Sequence, residues 1–81
     1  MRITVRLFAR LREIAGVAEC VRDVPEKATA RVLWNTLASE YPDFVDYGGT
    51  VSTAVNEEYS KMDAVLSDGD EVAFLPPVSG G

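Results

Sequence analysis

One amphipathic helix constrains most strongly what this chain of 81 residues can fold into. Apolar side chains recur at helical spacing over residues 30–41, namely Ala30, Leu33, Trp34, Leu37, Ala38 and Tyr41. Thr29 precedes this stripe as its N-cap, and Pro42 ends it because a proline disfavours helical geometry at the residue before it. A chain of this length supports a single core, so a second layer must cover the stripe.

Short strand patterns surround this helix. Residues 2–9 alternate between apolar and polar side chains, except that Phe8 falls on the polar face. A short helix is predicted over residues 9–15, with Gly16 at its end. Further strands are predicted over residues 19–24, 51–56, 59–62 and 72–75, and a loop over residues 43–50. The segment 72–75 is expected to be a buried central strand, and the element order predicts a small α+β domain with a sheet packed on one main helix.

Two residue types limit the chemistry, because the chain has no histidine and a single cysteine, Cys20. Catalysis by Ser-His-Asp or Cys-His groups is therefore excluded, as are an internal disulfide and a multi-cysteine zinc site. Asp63, Asp68 and Asp70 lack the spacing of a calcium loop, so no metal site is predicted. Cys20 is expected to be a small buried hydrophobic side chain, and a role in passing on sulfur is the alternative.

The net charge of −5 is unevenly distributed. Residues 1–31 hold seven cations against four acids, whereas residues 32–81 hold Lys61 alone against nine acids. Nucleic acid is not an expected partner, since phosphate contact depends on clustered Lys and Arg, and a protein with a basic face suits this surface better. An acidic surface with no specific role is the alternative. No signal peptide or membrane-spanning segment is evident, so a cytoplasmic location away from membranes is expected.

The features of residues 76–81 together favour an extended, flexible tail. Pro76-Pro77 has no N–H to give to a sheet, so an extended segment is expected to leave the last strand there. The sequence thus predicts a domain over residues 1–75 and a flexible tail over residues 76–81. Without Cβ atoms, Gly80-Gly81 can enter a narrow tunnel in a partner and present the terminal carboxylate to chemistry there. A frayed terminus is the alternative.

Three segments carry a family resemblance. Residues 66–81 read LSDGDEVAFLPPVSGG, residues 5–9 read VRLFA, and residues 54–56 read AVN. They resemble the MoaD-type sulfur carriers, the small subunits of molybdopterin synthases, and the resemblance covers essentially the whole chain. It implies a β-grasp, ubiquitin-like fold, in which a mixed sheet packs on one main helix and ends in an extended Gly-Gly tail.

The resemblance also implies a sulfur-transfer cycle at Gly81. An E1-like activating enzyme uses ATP-Mg to adenylate its carboxylate, and a sulfur donor such as a cysteine desulfurase or rhodanese converts the adenylate into a thiocarboxylate. The sulfur then attacks cyclic pyranopterin monophosphate in the large synthase subunit, during molybdenum cofactor biosynthesis. The tail segment that inserts there comprises Pro76, Pro77, Val78, Ser79 and Gly80. No bound cofactor is expected beyond the transient AMP adduct and the sulfur on Gly81.

By the same resemblance, the chain is a carrier and co-substrate on its own, and part of an enzyme only in the assembled heterotetramer of two small and two large subunits. The implied interface with the large subunit includes Phe8 and Arg12. Tyr59 is a further candidate at its rim, and Leu75 occupies a position where many relatives have an aromatic. For Phe8, a lone exposed aromatic without a role is the alternative.

Two other functions remain open. One is a related sulfur carrier for thiamine, cysteine or tRNA thiolation, or a ubiquitin-like modifier, since these share the Gly-Gly ending. The other is a β-grasp interaction module with an inert tail. Adding a residue after Gly81 separates these cases, because only a carrier or modifier needs that carboxylate.

Overall fold

Short strands and two α-helices make up most of the computed structural model, which describes residues 1–77. The predictions for Val78, Ser79, Gly80 and Gly81 therefore lie outside the described residues. A 3₁₀ helix, Pro42–Tyr47, lies between the second helix and the third strand. The other elements are β1 (Arg2–Leu7), α1 (Ala9–Ala15), β2 (Glu19–Asp23), α2 (Ala30–Glu40), β3 (Ser52–Val55), β4 (Glu58–Ser60) and β5 (Glu71–Leu75). In the described part of the chain, neither α-helix is long and apolar enough to cross a membrane.

The strands form one mixed sheet in the order β2-β1-β5-β3-β4. Strands β1 and β5 pair in parallel in its interior. The other three pairs of neighbouring strands, β1–β2, β3–β5 and β3–β4, are antiparallel. The prediction of a central last strand is confirmed, as is the α+β class.

Helix α2 covers one face of this sheet and is bounded as predicted. Its first turn is capped by Thr29, whose side-chain oxygen accepts a hydrogen bond from the Val32 N–H at 3.3 Å. The Trp34 ring, 3% exposed, meets the Phe74 ring of β5 edge-on with centroids 5.1 Å apart. Trp34 is therefore a core residue, as its place on the apolar stripe predicts.

The first strand and helix also agree with the sequence pattern. The alternating residues Ile3, Val5 and Leu7 are fully buried beneath α2. Gly16 ends α1 with a φ of 79°, a left-handed conformation that favours glycine, and its N–H donates to the Arg12 carbonyl at 2.8 Å.

The prediction of a loop over residues 43–50 is wrong for residues 43–47, which lie within the 3₁₀ helix. Pro42 does end α2, but a proline also suits the first turn of a new helix, where its missing N–H costs nothing. Phe44 is fully buried and stacks on Trp34. A single buried aromatic produces no periodic pattern, so the sequence alone gives no sign of this element.

The fourth strand is displaced from its predicted position. It covers Glu58–Ser60 rather than residues 59–62. The preceding turn uses only two residues, Asn56 and Glu57, with φ values of 50° and 71°. A two-residue hairpin of this kind starts the next strand immediately, because both turn residues adopt positive φ.

Candidate functional site

The sheet face opposite α2 has no helix over it within residues 1–77, and we name it the open face. Register places a row of five side chains across it, since Glu19 pairs with Arg6, Arg6 with Ala73, Ala73 with Ala54, and Ala54 with Tyr59. Ala73 and Ala54 in this row are small, and they separate the aromatic Tyr59 at one edge from the cation Arg6 and the acid Glu19 at the other. The open face includes Thr4, Arg6, Glu19, Val21, Ala54, Tyr59, Glu71, Ala73 and Leu75, together with Phe8 just beyond β1.

The point where the chain leaves the sheet lies at one corner of the open face. Because Leu7 pairs in parallel with Phe74, the next residues of the two strands, Phe8 and Leu75, lie side by side. Strand β5 ends at Leu75, as the following prolines predict. Pro76 is half-buried and Pro77 is exposed. The tail therefore starts next to Phe8.

Phe8 is held between two regular elements. It is 37% exposed, and its backbone is extended, with φ −127° and ψ 154°. Its carbonyl oxygen accepts hydrogen bonds from the N–H groups of Leu11 and Arg12, at 3.1 and 3.4 Å. Ala9 then adopts a φ of 50°, a value that L-residues rarely take, and this turns the chain sharply into α1. An aromatic so placed projects from a rigid support.

Arg6 is a site residue that the sequence analysis missed. Its Nη1 lies 3.2 Å from Oε1 of Glu71, and its guanidinium carbon lies 5.8 Å from the centre of the Phe8 ring. The alternation of β1 indicates that Arg6 lies on the same face as Phe8, because residues two apart on a strand share a face. The parallel neighbour that supplies Glu71 is not visible in that local pattern.

The remaining predicted interface residues are less closely grouped. Tyr59 lies on edge strand β4 of the open face and is 77% exposed, with Ala54 and Ala73 between it and Arg6. Arg12 is exposed on α1, and its contact with Phe8 is through the backbone N–H. The structure thus brings Phe8 and Leu75 together, keeps Tyr59 on the same face, and places Arg12 on the adjoining helix.

The aspartates of the Ser-Asp-Gly-Asp motif hold the start of β5. Asp68 Oδ1 accepts a hydrogen bond from the Arg2 N–H at 2.7 Å. Asp70 accepts from the Ser67 N–H at 2.8 Å and from the Asn56 side-chain amide at 3.0 Å. These acceptors fix the turn that aligns β5 with β1.

Cys20 lies on edge strand β2, opposite Val5. It is half-buried rather than buried, and burial raises the pKa of its thiol. Its neighbour Arg22 binds Glu40 through two hydrogen bonds of 2.7 Å, which tie β2 to the end of α2. These hydrogen bonds raise the pKa of the Arg22 guanidinium. Cys20 is distant from the tail in the sheet order, since β1 lies between β2 and β5.

Comparison with known proteins identifies relatives over the whole chain. The ThiS family matches residues 5–81. The molybdopterin synthase sulfur carrier subunit of Arabidopsis thaliana is 37% identical over 79 residues, which cover 98% of this chain and 82% of that protein. A structure described as putative molybdopterin converting factor, subunit 1, from Pyrococcus furiosus superposes with a TM-score of 0.85 at 35% identity, covering 96% of this chain and 99% of that one.

Two further structures share the fold. The small archaeal modifier protein 1 of Methanosarcina acetivorans has a TM-score of 0.81 at 27% identity, covering 99% of this chain and 96% of its own. A complex of subunits 1 and 2 of molybdopterin-converting factor from Helicobacter pylori contains a chain with a TM-score of 0.69 at 24% identity, fully covered on both sides, which shows the fold alone. The predicted β-grasp, ubiquitin-like fold is confirmed. The chain belongs to the ThiS family, and its relatives include the sulfur carrier subunits of molybdopterin synthases.

Proposed function

We propose that this chain is the sulfur carrier subunit of a molybdopterin synthase and that Gly81 carries the sulfur as a thiocarboxylate. The observation that carries the proposal is the end of β5 beside Phe8, which starts the tail at the corner of the open face. Support comes from the family match, which extends through residue 81, and from the name of the Arabidopsis relative.

In this proposal the large subunit covers the open face. Phe8 and Leu75 are adjacent apolar anchors, and Tyr59 lies at the rim on the edge strand. Aromatic anchors of this kind dominate the binding energy of protein interfaces when a partner excludes water from them. Pro76 and Pro77 restrict the backbone at the start of the tail, so docking of the face directs the remaining residues into the partner.

The chemistry at Gly81 proceeds in three stages. An E1-like activating enzyme with ATP-Mg joins the carboxylate to AMP and releases pyrophosphate, because a carboxylate is a poor electrophile until it has a good leaving group. The outer sulfur of a persulfide donor, such as a cysteine desulfurase or rhodanese, then displaces AMP and leaves Gly81 joined to the donor as an acyl disulfide. A second thiol cleaves the sulfur–sulfur bond, which releases the thiocarboxylate and leaves that thiol in a disulfide with the donor. In the synthase the sulfur attacks cyclic pyranopterin monophosphate, and hydrolysis of the resulting thioester returns Gly81 as a carboxylate. We place this cycle in the cytoplasm, where reducing conditions preserve a thiocarboxylate.

A reconstituted synthase reaction tests the proposal. The chain is combined with an activating enzyme, ATP-Mg, a sulfur donor, the large subunit and cyclic pyranopterin monophosphate, and molybdopterin is measured. The expected result is product that depends on every component and is absent with a variant lacking Gly81. A chain that is loaded with sulfur but yields no molybdopterin with an active large subunit would contradict this acceptor and favour another sulfur pathway.

Protein modification is a second candidate, favoured by the similarity to the small archaeal modifier protein 1. The same activated carboxyl group would then form an amide with a lysine of another protein and release AMP. Mass spectrometry of tryptic digests from cells that contain the chain tests this function. The tryptic peptide of residues 62–81, joined through Gly81 to lysine side chains of other proteins, is its expected signature. The absence of such branched peptides while molybdopterin is formed would exclude this function.

A further inference from the structure

We infer that Arg6 is a positioning residue, which orients Phe8 for docking with the large subunit. This inference rests on the proposed function and deepens it, because it assigns a role to a residue for which the sequence pattern indicates none. Arg6 lies between Glu71 and Phe8 on the open face, and its guanidinium reaches both.

The first contact fixes the guanidinium. Glu71 Oε1 lies 3.2 Å from Arg6 Nη1, with the two side chains 36% and 49% exposed. Glu71 is itself held by Asn56, whose side-chain oxygen accepts from the Glu71 N–H at 3.0 Å. The Asn56 N–H in turn donates to the Glu71 carbonyl at 2.7 Å. Arg6 therefore meets a carboxylate on a fixed backbone rather than a freely moving one.

The second contact joins the fixed guanidinium of Arg6 to the Phe8 ring. The guanidinium carbon of Arg6 lies 5.8 Å from the centre of the Phe8 ring, within the range in which a cation is attracted to the electron-rich face of an aromatic. Phe8 and Arg6 are two residues apart on one extended segment, so their side chains share a face. This attraction restricts the Phe8 ring before the partner arrives, and a side chain ordered in advance loses less entropy on binding.

Docking of the large subunit strengthens the attraction between the Arg6 guanidinium and the Phe8 ring. In the free chain all three side chains are partly exposed, so water screens the attraction. A partner that covers Phe8 removes that water, and charge–quadrupole attraction grows as the effective dielectric constant falls. The expected contribution of Arg6 therefore appears in the affinity of the carrier and not in the chemistry at Gly81.

Steady-state kinetics with the loaded carrier as the varied substrate test this inference. We expect Arg6→Gln to raise KM for the carrier by about 2- to 5-fold with kcat unchanged, as the size of an exposed cation–aromatic contact implies. Arg6→Lys keeps a cation within reach of the ring and should recover part of the loss. Arg31→Gln, on the exposed side of α2, is the control that removes the same charge away from the open face.

A double-mutant cycle shows whether Arg6 acts through Phe8. If it does, Arg6→Gln has no further effect on KM in a Phe8→Ala background, because the side chain it orders is absent. An equal loss in both backgrounds would overturn the inference and indicate a direct contact with the partner. An Arg6→Gln variant with the wild-type KM would overturn it too. Failure of the proposed function is distinguishable, since the wild-type chain would then give no molybdopterin.

Discussion

The rings of Trp34 and Phe44 stack with centroids 5.2 Å apart and an interplanar angle of 21°. Trp34 projects from α2, whereas Phe44 projects from the 3₁₀ helix that follows it. Tyr41 extends the cluster, with its ring centre 5.2 Å from that of Phe44. The 3₁₀ helix is therefore part of the core, although its neighbouring residue Val45 is 64% exposed.

Truncation of Phe44 should destabilise the domain strongly. Phe44→Ala is expected to lower the free energy of unfolding by about 3–5 kcal/mol, because it removes a fully buried ring and leaves a cavity beside Trp34. Val45→Ala is the matched control and should change it by less than about 0.5 kcal/mol. Urea unfolding followed by Trp34 fluorescence measures both. Equal effects of the two substitutions would show that residues 42–47 do not pack as described.

Local pattern and long-range contact explain which elements are predictable from the sequence. The stripe of α2 and the alternation of β1 depend on neighbours in the chain, so their positions are predicted to within a few residues. The burial of Phe44 depends on Trp34, a contact between two helices that no periodicity encodes. The hairpin start at Glu58 depends on positive φ values at Asn56 and Glu57. Asparagine often adopts such values, but glutamate rarely does, so the sequence does not indicate a turn of only two residues.

Removal of the Phe8 ring should weaken docking without weakening the fold. Phe8→Ala is expected to raise Kd for the large subunit by about 5- to 30-fold, as for an aromatic anchor at an interface. The change in the free energy of unfolding should stay below that of Phe44→Ala, because Phe8 is 37% exposed. Calorimetric titration with the large subunit measures the affinity.

Val32→Ala is the control for Phe8→Ala, since Val32 is similarly exposed, at 40%, but lies on α2. Its Kd should equal that of the wild-type chain. If Val32→Ala weakens binding as much as Phe8→Ala does, the partner does not dock on the open face.

The raised pKa of Cys20 predicts a loss of stability at alkaline pH. Burial favours the neutral thiol in the folded state, so the stabilisation is complete below the ordinary thiol pKa of about 8.5. It is lost as the pH rises through the higher pKa of the folded state, because the unfolded chain gains more from ionisation. Unfolding free energies from pH 7 to pH 10 should therefore fall more steeply for the wild-type chain than for Cys20→Ala. Parallel curves for the two proteins would contradict the assigned burial.

The sequence marks several residues of the candidate site, but it indicates neither their arrangement nor a role for Arg6. Phe8 stands out because it breaks the alternation of β1, and the Pro76-Pro77 pair marks the end of a strand. That Phe8 and Leu75 lie side by side follows from parallel pairing between the first and last strands, which nothing in either segment specifies. The same pairing brings Glu71 to Arg6, and for this reason the sequence analysis assigned Arg6 no role.

Extension of the chain after Gly81 separates a reactive tail from an inert one. One added alanine moves the terminal carboxylate and places a Cβ atom beside it, so sulfur loading and molybdopterin formation should both be abolished. Binding to the large subunit through the open face should change little, because Phe8 and Leu75 are untouched. Full activity of the extended chain would identify an interaction module whose tail has no chemical role.

The most direct test of the account is whether Gly81 exchanges one oxygen for sulfur. The chain is incubated with ATP-Mg, an activating enzyme and a sulfur source, and the tryptic peptide of residues 62–81 is fragmented in a mass spectrometer. Oxidation of Met62 gives almost the same mass change, so the fragment ions must show which residue carries the change. We expect the exchange on Gly81, and only when ATP is present. An unmodified Gly81 beside an activating enzyme that loads another carrier in the same reaction would contradict it.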